Sequence, residues 1–380
     1  MYYDRPNTIA TNSLANQAPF GTLATFTGDA VNSMAQPYAG RVNPFPADPF
    51  NVPSDVQFFL PNAAFSYDPN LENGRLQSWN ATLEREILRS YVVRAAYAGS
   101  RGDRLAIGRE LNAAIYAPGA TTATTNQRRP LFPTYSTVTM IESTGRSTYH
   151  AMQLTLDKRM SNRFSVLSSY TLSKNLDHAS EAKQTGTSQT NPFDLEFDWG
   201  FSNADRRHRW VTSFLWQVPG AFDSRVMTAV LSDWSLTGIL ALQSGGGFTV
   251  TSGVDNARTG TGGQRADVSG DPVLDSDRST PEKILRYFDT SVFAPNALGT
   301  FGNSGRNSLR GPGSKNVDLG LHKTFATGGS TRVQVRIEAF NAFNWVNLGN
   351  PNTGQNSANF ARITSAGAPR VMQGALRVSF

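Results

Sequence analysis

Cysteine is absent from all 380 residues, which removes disulfide scaffolds, thiolate metal sites and cysteine nucleophiles together. Long apolar runs are missing too. The best stretch, Val226 to Leu242, is interrupted by Ser232 and Asp233, short of the roughly 18 residues a membrane helix needs. With 39% hydrophobic residues and a mean hydropathy of −0.36, a helical membrane bundle is excluded. No G-x-S-x-G, H-E-x-x-H or phosphate-binding glycine loop occurs, so no enzyme and no cofactor is expected. The four histidines lie far apart, and no metal cluster is expected of them. The net charge is +6, but Lys and Arg are scattered singly, which argues against nucleic acid. Met1-Tyr-Tyr-Asp-Arg-Pro carries no basic region followed by an apolar one. This points to a start inside a longer reading frame, or to a fragment.

What the chain does have is a period of two. Read backward from Phe380, Val378, Leu376, Gly374 and Met372 alternate with Ser379, Arg377 and Gln373. Such alternation is the mark of a strand with one greasy and one wet face. The pattern recurs over Leu76–Arg89, Tyr91–Gly99, Ser147–Met160, Arg163–Lys174, Arg207–Val218, Asp233–Gln243, Lys315–Phe325 and Arg332–Phe343. Tyr2 to Arg5 reads as the end of one strand more. A two-residue turn at Ser161-Asn162 predicts a tight hairpin.

Connections alternate strictly between short ones, about 2 to 14 residues, and long ones of roughly 25 to 70, as in bacterial outer-membrane barrels with short periplasmic turns and long outer loops. Trp216 and Trp234 flank one short connection, while Trp79, Trp210 and Trp345 fall near the opposite strand ends, as two interfacial belts would place them. The expected fold is all-β: an antiparallel transmembrane β-barrel. About nine to ten strands leave open edges, which hydrocarbon does not tolerate, so the chain reads as the C-terminal part of a larger barrel. Residues 1–75 are expected to hold a truncated first strand and a long extracellular loop, and 76–380 one continuous barrel segment.

Six motifs in order carry a resemblance: Leu76-Gln-Ser-Trp-Asn-Ala-Thr-Leu-Glu-Arg-Glu, Tyr97-Ala-Gly-Ser-Arg-Gly, Tyr149-His-Ala-Met-Gln-Leu, Tyr170-Thr-Leu-Ser-Lys-Asn, Asp205-Arg-Arg-His-Arg and Arg336-Ile-Glu-Ala-Phe-Asn-Ala-Phe-Asn. The chain resembles the C-terminal barrel of Oar-like TonB-dependent outer-membrane receptors. That resemblance implies a full barrel of about 22 strands around a plug. The plug, a TonB box and a carboxypeptidase-regulatory-like domain would all precede Met1. The function it implies is ligand capture and uptake across the outer membrane. Two other readings are a passive porin-like or structural and adhesive barrel, and a soluble carbohydrate-binding module.

Three sets of residues are expected to act. Asp157, Arg159, Asp318, His322, Arg332, Arg336, Glu338 and Arg377 occupy wet parities and would face the lumen, holding a plug or setting ion selectivity. Phe380, Val378 and Leu376 resemble the signal read by the barrel-assembly machinery. Arg206, Arg207 and Arg209 lie where a strand leaves an outer loop, at the height of lipopolysaccharide phosphates, or else form ion pairs at the rim. Asp267, Asp271, Asp275 and Asp277 read as a solvated loop, since their spacing fits no calcium-loop template. From parity, Val335→Arg is expected to impair assembly at a cost of about 2 to 4 kcal/mol, and Gln334→Arg to be tolerated. The transported ligand has no code in these loops.

Overall fold

The structure is a computed structural model that describes residues 2–4, 62–180, 189–220, 224, 227–228, 230, 232–326 and 331–380. Its strands are, in chain order, β1 (Tyr2–Asp4), β2 (Asn62–Tyr67), β3 (Gly74–Leu88), β4 (Tyr91–Glu110), β5 (Tyr135–Ser161), β6 (Phe164–Asp177), β7 (Gly200–Phe201), β8 (His208–Gln217), β9 (Trp234–Gln243), β10 (Gly247–Phe248), β11 (Asp267–Val268), β12 (Phe293–Ala294), β13 (Leu309–Arg310), β14 (Ser314–Ala326), β15 (Arg332–Phe340) and β16 (Val371–Ser379). One short helix, α1 (Thr280–Leu285), lies in the β9–β14 connection and starts with a Ser279–Glu282 capping box. Among the described residues no helix is long and apolar enough to cross a membrane.

Ten of these strands form one path, β1-β3-β4-β5-β6-β8-β9-β14-β15-β16, with β2 and β7 attached at its side. Every neighbouring pair along the path is antiparallel. The expected long connection over 5–61 and the turn at 327–330 lie outside the described residues.

Register turns the separate alternations into one surface. Val378, Leu376 and Met372 pair with Val333, Val335 and Ala339. Phe325, Leu321 and Leu319 continue that face on β14, and Leu236, Gly238 and Leu240 on β9. Trp216, Phe214 and Trp210 carry it to β8, then Phe164, Val166 and Tyr170 to β6. Met152 and Leu154 extend it to β5, Tyr97 and Ala95 to β4, and Ala81 and Leu83 to β3. A slip of one residue anywhere would turn a strand's greasy set to the wet side, so the pattern itself fixes the register. At two of the glycines on this face a neighbouring aromatic covers the gap. A Cβ at Gly99 would lie 2.3 Å from the Trp79 ring, and one at Gly238 would lie 2.4 Å from Phe214.

Two lysines interrupt this face at its turn end, which the sequence reading passed over. Lys158 is 7% exposed and donates to the carbonyls of Ser161 (2.9 Å) and Phe164 (2.5 Å). Lys323, 4% exposed, donates to Val230 O (2.9 Å) and Ser232 O (2.7 Å). Each ammonium lies beside two rings: Tyr91 and Phe164 for Lys158, Trp234 and Phe325 for Lys323. Ring faces and turn carbonyls together replace water around a cation at the membrane boundary. Lys315, eight positions before Lys323 on the same parity, lies over Trp345 at the opposite end. Eight residues span about 27 Å along a strand, or about 20 Å of height at a tilt near 40°, comparable to the roughly 25 Å apolar band of such barrels.

The strands β4 and β5 depart from expectation. Residues 100–146 were read as a long polar segment, yet pairing continues from Arg101↔Thr148 to Glu110↔Thr139 through register shifts near Leu105. Strand β2 adds to β5 in parallel, Ala64↔Val138 to Tyr67↔Ile141. A membrane strand needs only about 9–11 residues. The excess therefore stands in water, where Ile107, Val138 and Ile141 are buried and the strict alternation disappears.

The register also corrects a depth. Val335 pairs with Lys323 and Leu376, so it sits near the turn-side boundary, where an added Arg costs about 0–1 kcal/mol. Leu319, midway between Lys315 and Lys323 and paired with Gly238 and Ala339, is the position of full cost. Leu319→Arg is expected to lower stability by about 2–4 kcal/mol, and Ile239→Arg, opposite Asp318 on the wet face, by less than about 1 kcal/mol. Urea titration of the folded, heat-modifiable band reads both; equal losses would refute the facing.

Candidate functional site

Among the described residues, the β4–β5, β6–β8, β9–β14 and β15–β16 connections leave from the end opposite Lys158 and Lys323, and they fold against one another. The β9–β14 connection is their hub. Phe248, Val250, Ala266, Phe288, Phe293 and Leu309 form its core, joined by Ala361 from the β15–β16 connection. Backbone bonds stitch the two connections together: Thr251 N to Thr353 O (3.0 Å), Tyr287 N to Ala361 O (2.8 Å) and Ile363 N to Ile284 O (2.9 Å). A third connection, between β4 and β5, joins through Ala114 N to Thr259 O at 3.0 Å.

The Ser244-Gly-Gly-Gly247 run is a close-packed crossing. A Cβ at Gly245 would fall 1.8 Å from Gly311 O, and Gly247 pairs with Arg310 in the β10–β13 ladder. Side chains larger than hydrogen have no room there.

Three arginines of the hub clamp three aspartates of the β6–β8 region. Arg265 meets Asp198 at 2.7 Å with side chains 5% and 3% exposed. Arg306 meets Asp177 at 2.6 Å, and Arg310 meets Asp205 at 2.5 Å. Arg265 also lies on the Phe197 ring, 3.9 Å from its centroid. Burial pulls the Arg265 pKa down, and the Asp198 charge opposes that pull. Between these clamps opens a polar cleft of about 240 Å³, lined by His178, Ser180, Thr190, Thr249, Arg265 and Asn307 among others. His178 Nδ1 accepts the Arg146 backbone N–H (3.1 Å), which leaves the proton on Nε2, 3.5 Å from Glu196. The cleft offers hydroxyl, amide and paired charged groups, a chemistry suited to a polar ligand.

By register, the residues expected to face the lumen lie on the parity opposite the greasy one on several strands. Asp157 pairs with Val92 and Leu167, His322 with Ser235 and Arg336, Glu338 with Gln373, and Arg377 with Gln334. Arg332 pairs with Ser379. Asp318 accepts from Asn316 Nδ2 (2.7 Å) and Asn341 N (2.9 Å), and Arg336 Nε donates to Gln334 (2.7 Å). Glu338 accepts from Gln373 (2.5 Å). His322 Nε2 lies 3.3 Å from the Thr237 hydroxyl. Arg159 falls in the register shift between Lys158 and Ser161, beside the β5–β6 turn, with its N–H on Ser90 O. Leu376 and Val378 lie on the greasy face, and Phe380 is 96% exposed.

Among Arg206, Arg207 and Arg209, the structure separates the three. Arg206 folds back to donate to Asn203 O and Asp205 O. Arg209 pairs with Gln243 and Thr171 on the wet parity. Arg207, whose O accepts from Ser173 N, lines a pocket with Lys174 at the sheet's rim. Asp205, next to all three, takes Arg310 instead. The aspartates of the long connection do not gather: Asp267 accepts from Ala297 N and Asn303 N, while Asp271 and Asp275 close local turns. Among the described residues no group of acidic, His or Cys side chains has the geometry of a metal site.

Two outcomes follow from the clamps. Removing one partner of a buried pair leaves an uncompensated charge, so Asp198→Ala is expected to cost the hub about 3–5 kcal/mol. Limited proteolysis should then cut the outer connections while the membrane strands stay protected; unchanged cleavage would refute the clamp. Burial is the main cause that lowers the His178 pKa from its ordinary 6.5, with the Glu196 charge working the other way. A depressed histidine favours the folded state above pH 6.5 and loses that contribution as pH falls through its lower folded value. Proteolysis of these connections should therefore rise on acidification below pH 6.5, and His178→Gln should flatten that dependence.

Comparison with known proteins agrees with this architecture. A family profile described as "Outer membrane beta barrel domain" matches residues 1–373. No curated protein matches the chain. Among solved structures it is similar to Pseudomonas aeruginosa FpvA bound to heterologous pyoverdines, at 11% identity and a TM-score of 0.41, covering 81% of this chain and 28% of that one. It is also similar to the outer membrane transporter YddB from Escherichia coli (9% identity, TM-score 0.43, 81% and 33% covered) and to the FrpB iron transporter from Neisseria meningitidis (10%, 0.40, 83% and 33%). The chain thus spans about a third or less of the length of these proteins. By the profile that runs over nearly its whole length, the chain belongs to the outer membrane beta barrel domain family.

Proposed function

We propose that this chain is the C-terminal barrel portion of an Oar-like TonB-dependent receptor, whose outer connections capture a ligand for uptake. The observation that carries the reading is the asymmetry of the sheet. Its turns at one end are as short as Arg89-Ser90, while at the other end the connections build a packed, cleft-bearing structure. A passive pore has no need of a folded structure over its mouth, whereas a receptor needs rigid elements to position ligand-binding groups.

Among the described residues, the path of strands ends in two free ladders, on β1 and on β16. Unpaired backbone groups in hydrocarbon cost several kcal/mol each, so these edges call for further strands of the same barrel. In that closed barrel Asp157, Asp318, His322, Arg332, Arg336, Glu338 and Arg377 line the lumen and hold a plug, and Arg159 sits at the periplasmic rim. The terminal Leu376, Val378 and Phe380 serve the barrel-assembly machinery. The ligands named for the similar structures are theirs; the polar cleft beside His178 supports only a polar ligand here.

Planar-bilayer recording of the whole reading frame tests this. A plugged receptor is expected to show no large steady conductance until the plug is unfolded with urea. A large open conductance without urea would replace this reading with that of a passive pore.

A further inference from the structure

The pocket that Arg207 lines is separate from the cleft beside His178. It is lined by Tyr97, His150, Met152, Leu172, Lys174 and Arg207, with the Arg310–Asp205 pair at its edge, and has a volume of about 400 Å³. Register puts Tyr97, Met152 and Leu172 on the greasy, lipid-contacting face, at the end from which the long connections leave. The lower part of the pocket is therefore apolar and continuous with the surface that meets acyl chains.

Its upper part is basic. Three cations, Lys174, Arg207 and Arg310, face one carboxylate, Asp205, and that carboxylate is already taken by Arg310. Among the described residues neither Lys174 nor Arg207 makes an ion pair. Lys174 lies 5.9 Å from the Phe201 ring and Arg310 lies 4.3 Å from it, so the aromatic ring keeps two cations side by side. Below them the Tyr97 hydroxyl and His150 Nδ1 are bonded at 2.7 Å with their rings stacked, which leaves His150 Nε2 for another partner.

An apolar floor on the lipid face, capped at the outer boundary by two unpaired cations, fits one kind of occupant. We infer that this pocket is a docking site for the phosphorylated glycolipid of the outer leaflet, with its acyl chains on Met152 and Leu172 and its phosphate between Lys174 and Arg207. Guanidinium grips phosphate oxygens in a bidentate manner, and the ammonium adds a compact charge. The same Tyr–His pairing recurs one strand pair along, Tyr170 with His208 at 2.7 Å, beside a pocket of about 500 Å³ that holds a single cation, Lys315. That second pocket continues the apolar bed but offers less to a phosphate. The site rests on the outer-membrane placement of the chain and not on uptake, so its failure would leave the conductance result untouched.

Native mass spectrometry of the detergent-folded full chain provides the test, with bisphosphorylated lipid A, dephosphorylated lipid A and phosphatidylglycerol as probes. Bisphosphorylated lipid A is expected to bind about tenfold or more tightly than either of the other two. The Lys174→Gln/Arg207→Gln variant should lose that preference, while Arg362→Gln, an exposed loop cation that does not line the pocket, should keep it. If the double variant does not fold, as judged by heat-modifiable migration, the charge-conserving Lys174→Arg/Arg207→Lys variant should still discriminate. Equal binding of the phosphorylated and dephosphorylated forms, equal binding of phosphatidylglycerol, or an unaltered preference in a folded double variant would each overturn the assignment.

Discussion

Inside hydrocarbon a peptide group has no water to bond, so each N–H and C=O must find its partner in the protein. The whole architecture answers to that demand. A continuous antiparallel ladder from β1 to β16 satisfies backbone groups without side chains, which frees the side chains to sort by face. One face then meets lipid and must be apolar, and the other is released to carry Asp, Glu, Arg and His. The alternation seen in β6, β14 and β15 is the imprint of this sorting on the sequence, because it is the same residue-by-residue constraint on every strand.

Outside the membrane the constraint relaxes, and a different physics organises the chain. The outer connections bury a modest apolar core around Phe248 and Phe288, and three Arg–Asp pairs hold that core to the neighbouring strand ends. Buried pairs of this kind contribute little net stability, since desolvation offsets most of the attraction. What they supply is geometry: each sets one guanidinium nitrogen against one carboxylate oxygen. With all three formed, the hub has a fixed seat over the sheet, and the cleft beside His178 keeps its shape. Rigid loops over a membrane sheet follow from paired charges more than from hydrophobic bulk.

This difference explains what could be read from the sequence. Strand β6 was expected over Arg163–Lys174 and spans Phe164–Asp177; β8, β9, β14 and β16 were legible to within a residue or two for the same reason. The local two-residue period carries them. The outward extension of β4 and β5 was not legible, because paired strands in water mix polar and apolar residues on both faces. Nor were the clamps. Arg306 finds Asp177 across 129 residues of chain, and no local pattern marks either member. The rim arginines illustrate the limit: Arg206, Arg207 and Arg209 are near neighbours in sequence, yet the start of β8 between them sends each to a different surrounding. Sequence adjacency groups the three, and only register tells them apart.

Lys158 and Lys323 show how that height is set. A lysine on a lipid-facing parity is costly at mid-depth, yet each here has its ammonium satisfied by turn carbonyls and flanked by ring faces. Such a group is stable only near the boundary, because moving it deeper would add desolvation without adding a partner. The pair therefore resists downward and upward displacement of the strands that carry them. Fixing the turn-side boundary in this way fixes the other as well, one apolar band higher, where Tyr97, His150, Tyr170, His208 and Trp210 lie. The cations of the lipid-side pocket then stand at the level of the outer headgroups, not by their own choice of depth but because lysines at the far end of the same sheet leave the strands no other position.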